Sequence, residues 1–177
     1  MRLTLPEINL IIGANISPTP RIMVKRGDSS SPSRWFAWPA GVAMINKKNQ
    51  IDSTQLYDNL IRRINLTGNY PYLTFFHLGQ KFRLGQADWV HREGYAYLMS
   101  GTFDDTPLAR EAAHTLENDT QGYWGTSICY YPLGNQSVIR WNDIDVLVYN
   151  DGIQEEVSVL PAHLACSYLT RIPTMSN

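Results

Sequence analysis

The stretch Tyr72–Phe103, YLTFFHLGQKFRLGQADWVHREGYAYLMSGTF, decides the fold. It divides into three runs rich in apolar and aromatic residues, at Tyr72–Leu78, Leu84–His91 and Tyr95–Phe103. Short polar turns that contain glycine separate these runs. Strands joined by such short turns lie side by side in a sheet and run in opposite directions. The stretch therefore predicts an antiparallel meander.

A helix is predicted before the meander, over Thr54–Asn65. Asp52 or Ser53 is placed to cap its first turn, and Gly68 follows its last turn, where glycine commonly ends a helix. The apolar residues recur at helical spacing and form one buried face. They are Leu56, Leu60 and Ile64, with Tyr57 and Ile61 beside them.

A second helix is predicted directly after the meander, from Pro107 to about Glu117. Thr106 supplies a capping oxygen, and proline is favoured at the first helical position because its missing N–H is not needed there. The expected inward stripe is Leu108, Ala112 and Leu116.

Further strand-like runs lie on both sides of these elements. One is Arg34 to Ile45, with a bend at Pro39, and four follow the second helix. Together they predict an α+β fold, a largely antiparallel sheet or barrel with about two helices. The four later runs are Trp124–Tyr131, Val138–Trp141, Ile144–Tyr149 and Glu155–Leu160.

The composition is that of a folded, lightly charged chain. It has 177 residues, of which 44% are hydrophobic and 18% charged, which excludes a wholly disordered protein. Lys and Arg number 15 against 16 Asp and Glu, so the net charge of −1 gives no overall attraction to nucleic acid or anionic membranes. Because no apolar run approaches the roughly 20 residues of a membrane-spanning helix and no signal peptide is recognised, we expect a soluble protein made in the cytosol.

The first 33 residues differ in composition from the remainder. The segment Ser17–Ser33, SPTPRIMVKRGDSSSPS, is typical of a linker or an extended arm. It follows an N-terminal tip, Met1 to Ile16, that either docks on a neighbouring molecule or forms a flexible tail. We therefore predict an arm over residues 1–33 and a folded domain over residues 34–177.

The two cysteines, Cys129 and Cys166, are 37 residues apart and have no CxxC spacing. Structural zinc is not expected, and both thiols should be reduced in the cytosol. No sequence feature requires a cofactor.

Four histidines are candidates for a catalytic base. His91 and His163 are typical of solvated turn residues, and His114 is expected on the polar side of the second helix. His77 closes an apolar strand at the edge of the core, where it is either a hydrogen-bonded strand-end residue or a general base.

The candidate nucleophile is Ser127, which lies in Trp124-Gly125-Thr126-Ser127-Ile128-Cys129. Small residues precede it, so an accessible strand hydroxyl is consistent with the sequence, although a hydrogen bond to neighbouring backbone is the ordinary use of such a serine. Cys129 shares its face of the strand. With no adjacent cation to lower its pKa, Cys129 is better interpreted as a small buried apolar residue than as a nucleophile.

The order of four segments resembles the prohead maturation proteases of tailed bacteriophages, which share the herpesvirus-assemblin type of fold. The likeness covers about Trp35 to Leu169. Its segments are Leu73-Thr-Phe-Phe-His77 with Leu84-Gly85, Gly101-Thr-Phe-Asp-Asp-Thr-Pro-Leu-Ala-Arg110, Trp124-Gly-Thr-Ser-Ile128 and Glu155-Glu-Val-Ser-Val-Leu-Pro-Ala162.

The resemblance implies a serine endopeptidase. His77 would be the general base, Ser127 the nucleophile and Glu156 the acidic residue that orients the imidazole. The implied substrates and partners are scaffold and major capsid protein, in the host cytoplasm during assembly and inside the prohead. The chain departs from the family pattern at Cys129, where glycine is expected, and in a shorter segment before Pro161.

Two further hypotheses remain open at this stage. One is a capsid decoration, cement or minor head protein, built on the protease fold, self-associated or bound to the virion capsid through its arms, with no required catalysis. The other is an α+β domain without chemistry.

Overall fold

The computed structural model describes residues 22–28, 31–41 and 45–165. Within these residues the chain forms ten β-strands and two α-helices. In chain order they are β1 (Ile22–Lys25), β2 (Arg34–Gly41), β3 (Gln50–Asp52), α1 (Thr54–Thr67), β4 (Tyr72–Phe75), β5 (Arg83–Glu93), β6 (Ala96–Phe103), α2 (Pro107–Glu117), β7 (Trp124–Pro132), β8 (Ser137–Trp141), β9 (Ile144–Tyr149) and β10 (Gly152–Pro161).

The main sheet has the strand order β1-β2-β6-β5-β4-β10-β7. All its neighbouring pairs are antiparallel except β4 with β10, which run parallel. Strand β2 also contacts β7 near the opposite edge, so the sheet is strongly curled. The smaller sheet has the order β3-β9-β8. The predicted α+β class with a largely antiparallel sheet is confirmed, and so is the meander β4-β5-β6.

Helix α1 forms where its capping residues and apolar spacing predict it. The Ser53 hydroxyl accepts a hydrogen bond from the Leu56 N–H at 3.1 Å, and Gly68 ends the helix with a left-handed φ of 69°. Its buried face packs against β10 and β5. The fully or nearly buried residues of α1 are Leu56, Tyr57, Leu60 and Ile64.

Helix α2 also begins as predicted, because the Thr106 hydroxyl accepts from the Ala109 N–H at 3.1 Å. The expected position of Leu108 on the inward stripe is wrong, since this side chain is exposed. At 3.6 residues per turn, each four-residue step rotates about 40°, so Leu108 lies about 80° from Leu116. The stripe that faces the sheet is Ala109, Ala112, Ala113 and Leu116.

Two strand boundaries differ from the predictions in ways that matter below. Strand β4 ends at Phe75 rather than at Leu78, because the backbone at Phe76 and His77 turns into the left-handed region. Strand β1 lies inside the predicted arm and pairs with β2, so the sheet begins within that segment. The predicted tip Met1–Ile16 and Cys166 lie outside the described residues.

No helix in the described part of the chain is long and apolar enough to cross a membrane.

The two buried threonines Thr126 and Thr74 offer a matched test of how this sheet uses hydroxyl groups. The Thr126 hydroxyl is buried with no hydrogen-bond partner among the described residues. Thr126→Val replaces it with a methyl group of similar size, and we expect the free energy of unfolding to rise by about 1 kcal/mol. Urea unfolding followed by tryptophan fluorescence, with an unchanged m-value, measures the difference.

Thr74→Val is the control. The Thr74 hydroxyl lies 3.0 Å from the carbonyl oxygens of Gly79 and Phe82, to which it can donate. Its removal leaves these groups without that donor, so the free energy of unfolding should fall by about 1–3 kcal/mol. Equal effects of the two substitutions would contradict this account.

Candidate functional site

A β-bulge in β10 decides which side chains face each side of the sheet. Gln154 is opposite Tyr130 on β7, whereas Glu156 is opposite Cys129, so Glu155 is the extra residue. Without the bulge, Gln154 and Glu156 would share a face. With it, Gln154 points to the core, where its side-chain oxygen accepts from the Tyr97 hydroxyl at 2.5 Å, and Glu156 points to the other face.

Six side chains that carry a hydroxyl, thiol or carboxyl group lie on that other face, which is here called the site face. They come from three adjacent strands. Strand β10 contributes Glu156 and Ser158, which alternate along the strand. The cross-strand pairing then assigns their neighbours on β4 and β7. The site face consists of Tyr72, Thr74, Ser127, Cys129, Glu156 and Ser158.

His77 reaches this face through a tight turn after β4. Phe76 and His77 have φ values of 49° and 56°, in the left-handed region that non-glycine residues rarely adopt. The Phe76 N–H donates to the Val159 carbonyl at 3.0 Å, and the His77 N–H donates to the Ser158 hydroxyl oxygen at 2.7 Å. The imidazole thus lies against the side chains of β10 instead of continuing the strand.

The structure brings two of the three predicted site residues into direct contact. His77 Nδ1 hydrogen-bonds Glu156 Oε1. The Glu156 side chain is 4% exposed, while the imidazole is 37% exposed. A carboxylate only accepts hydrogen bonds, so an ionised Glu156 places the ring proton on Nδ1 and leaves Nε2 as a free acceptor.

Tyr72 lies beside Glu156. The two residues are directly opposite each other in the parallel β4–β10 pair. Burial, followed by the negative charges of Glu155 and Glu156, raises the pKa of Tyr72 to about 12. Tyr72 therefore stays protonated at neutral pH.

Ser127 lies on β7, directly across from Ser158. Residues opposite each other in an antiparallel pair have Cβ atoms about 5 Å apart on the same face. Ser127 is 5% exposed, and its hydroxyl has no hydrogen-bond partner among the described residues, His77 included. The predicted serine therefore lies on the same face as Glu156. It is opposite Ser158, two residues along β10 from Glu156, and its hydroxyl is free of hydrogen bonds to the described residues.

Cys129 is half-buried on the site face. Burial raises the pKa of its thiol, and the charges of Glu156 and Glu155 raise it further, while Lys48 opposes them. A raised pKa keeps sulfur as the weakly nucleophilic thiol. This agrees with the interpretation that Cys129 is not the nucleophile.

The other three histidines lie away from the site face. His91 is exposed, stacks on Trp89 with ring centroids 5.5 Å apart and approaches Glu93 at 3.4 Å. His114 is on the exposed side of α2, as predicted, and His163 packs its ring edge against Tyr123.

Three residues of the site face were missed by sequence reasoning, namely Tyr72, Thr74 and Ser158. Ser158 has a signal in the sequence, since it is two residues after Glu156 and must share its face in a strand. Tyr72 and Thr74 share a face in the same way, but their partner strand is about 80 residues away. That pairing cannot be read from local spacing.

The arrangement places an acid, an imidazole and a hydroxyl on one face of the sheet, with the acid and the imidazole hydrogen-bonded to each other. No group of three or more His, Cys, Asp or Glu side chains suited to a metal ion occurs in residues 22–28, 31–41 and 45–165. A comparison with protein-family models found no match, and neither did comparisons with curated proteins and with solved structures.

The rate at which the Cys129 thiol is alkylated tests whether its pKa is raised. In a Cys166→Ser background, iodoacetamide should alkylate Cys129 at pH 8 several-fold more slowly than a cysteine in a short peptide, because the raised pKa lowers the thiolate fraction. Mass spectrometry at timed intervals measures the rate.

Two substitutions give opposite controls for this experiment. Glu156→Gln removes a negative charge near the sulfur and should accelerate alkylation, whereas Lys48→Met removes a positive charge and should slow it. A Cys129 that reacts as fast as the peptide thiol in the otherwise unaltered chain would contradict the assigned environment.

Proposed function

We propose that this protein is a serine endopeptidase of the prohead maturation type, which cleaves scaffold or capsid-protein segments during assembly of a phage head. The observation that carries the proposal is the His77–Glu156 hydrogen bond on the same face as the uncommitted hydroxyl of Ser127. The segment order described above, which resembles that protease family, supplies the substrate class.

The proposed reaction is acyl transfer in two stages. Ser127 Oγ attacks the peptide carbonyl carbon while its proton passes to His77 Nε2, and His77 then gives this proton to the leaving amine as the C–N bond breaks. Water, activated by the same imidazole, hydrolyses the acyl ester and restores Ser127. Glu156 keeps the proton on Nδ1 and stabilises the imidazolium.

The free protein is consistent with this reaction although Ser127 and His77 are not hydrogen-bonded. In proteases without substrate this hydrogen bond is often long, and it tightens when substrate binds. The exposed edge of the imidazole and the free Ser127 hydroxyl are the groups that a bound peptide would bring together. No cofactor is required.

The proposed partners are the major capsid protein and scaffold, encountered in the host cytoplasm and inside the prohead. Packaging within a closed shell raises the effective concentration of enzyme and substrate. This confines efficient cleavage to the assembling particle. Cys129, where the family has glycine, lies on the site face two residues from Ser127.

A second candidate function is favoured by an exposed apolar surface. In the β8–β9 hairpin, Val138 is 60% exposed and Ile144 46% exposed, and Tyr131 at the end of β7 is also exposed. Strand β8 is an edge of the smaller sheet. Apolar side chains on a sheet edge favour association with another protein. This surface fits a decoration or cement protein that stays bound to the virion capsid.

Ser127→Ala is expected to abolish cleavage of capsid protein and scaffold on co-expression, because it removes the attacking oxygen. Its effect on the free energy of unfolding should be small, since the hydroxyl has no partner among the described residues. Mass spectrometry of the co-expressed proteins detects the products. Cys129→Ala is the matched control on the same strand and face, and it should still cleave.

The possible results separate the two functions. Truncated products with the unaltered chain and Cys129→Ala, but not with Ser127→Ala, support the protease. Full cleavage by Ser127→Ala would remove Ser127 from the mechanism. Uncut proteins in every sample, with this chain in stoichiometric amounts on purified shells, would support the decoration protein.

A further inference from the structure

We propose that Ser158 is a positioning residue that sets the His77 imidazole against Glu156 and Ser127 through its hydrogen bond to the His77 backbone. This inference rests on the proposed function and deepens it. Ser158 is 0% exposed, and its hydroxyl oxygen accepts from the His77 N–H at 2.7 Å.

The backbone at His77 needs such a restraint. Two consecutive non-glycine residues in left-handed conformations are strained, and they persist where the surroundings fix them. The parallel ladder between β4 and β10 ends at the pair Phe75–Val159. The Phe76 N–H still reaches the Val159 carbonyl, but the chain then leaves the ladder, and the next N–H is taken by a side chain, that of Ser158.

Ser158 lies where it can fix the position of His77 relative to both Glu156 and Ser127. It is two residues from Glu156 on β10, so both side chains are on the same face, and the Glu156 carboxylate binds His77 Nδ1. It is also the direct cross-strand neighbour of Ser127. A single hydroxyl therefore ties the backbone of the base to the strand that carries the acid, beside the nucleophile.

The other contacts of the turn do not bind His77 itself. The Leu78 N–H donates to the Phe75 carbonyl at 2.9 Å and closes the turn around Phe76 and His77. The Thr74 hydroxyl lies against the carbonyls of Gly79 and Phe82, further along the loop. Loss of the Ser158 hydroxyl should therefore leave the loop attached while it loosens the orientation of the imidazole.

The test compares full-length Ser158→Ala with Thr126→Val, which deletes a buried hydroxyl on the adjacent strand that has no hydrogen-bond partner among the described residues and lies on the opposite face of the sheet from Ser127. The first readout is the His77 Nδ1 proton in ¹H–¹⁵N NMR spectra. A resonance shifted downfield by the bond to Glu156 is expected in the unaltered chain, Thr126→Val and Ser127→Ala. In Ser158→Ala it should be lost or broadened.

The second readout is labelling of Ser127 by a fluorophosphonate. The Ser127 Oγ–P bond forms, the P–F bond breaks, fluoride leaves and the hydroxyl proton passes to His77. We expect the limiting labelling rate to fall by about 100-fold in Ser158→Ala with little change in the concentration for half-maximal rate, because small displacements of a catalytic group have effects of this size. Thr126→Val should label within about twofold of the unaltered chain.

Ser158→Cys keeps the test decisive if the alanine variant does not fold. Its sulfur is a weaker acceptor of similar shape, so an intermediate rate is expected. A folded Ser158→Ala or Ser158→Cys with an unchanged Nδ1 resonance and unchanged labelling would overturn the inference. An unaltered chain that is not labelled would instead overturn the proposed function, and the NMR readout alone would then decide whether Ser158 positions the imidazole.

Discussion

The parallel pairing of β4 with β10 is the contact on which the site depends. It joins segments about 80 residues apart and places Tyr72 beside Glu156 and Thr74 beside Ser158. The ladder ends at the pair Phe75–Val159, and His77 lies two residues beyond Phe75. Antiparallel pairing of β10 with β7 then adds Ser127 from the other side. The strand β10 is thus the common support of every proposed catalytic residue.

Two carboxylates, Asp52 on the smaller sheet and Glu156 on the main sheet, accept hydrogen bonds but have different roles. Asp52 accepts from the Tyr57 hydroxyl at 3.0 Å and the Tyr130 hydroxyl at 2.5 Å, and burial raises its pKa. Those donors are ring hydroxyls of the interior, and they tie β3 to α1 and β7. Glu156 instead hydrogen-bonds an imidazole that reaches the surface. Glu156 can therefore influence chemistry at the surface, whereas Asp52 serves the fold.

The two candidate functions use separate parts of the molecule. Proteolysis requires the site face and the turn at His77, while attachment to a shell would use the apolar side chains of the β8–β9 hairpin in the smaller sheet. The hairpin contributes none of the residues that bind His77 or Glu156. Catalysis and attachment to a shell are consequently compatible with one fold, because they would use different residues.

The sequence by itself determined the local elements of this protein. Ser53 and Thr106 begin the helices because their hydroxyls satisfy free N–H groups, and alternating apolar residues define the meander. The candidates His77, Ser127 and Glu156 also came from the sequence, through the resemblance of segment order rather than from spacing. Leu108 was misplaced because a strict four-residue period drifts around a helix.

Only the tertiary structure decided how those residues meet. The bulge at Glu155 turns Glu156 away from the core, and this depends on register with β7, which local sequence does not encode. The His77 N–H in the left-handed turn donates to a hydroxyl 81 residues further along the chain, that of Ser158. Whether a residue lies in a helix or a strand depends largely on its neighbours in the sequence, because capping hydrogen bonds and backbone dihedral angles are local. The face of the sheet and the partner across it follow from pairings between distant strands, which form only when the whole chain folds.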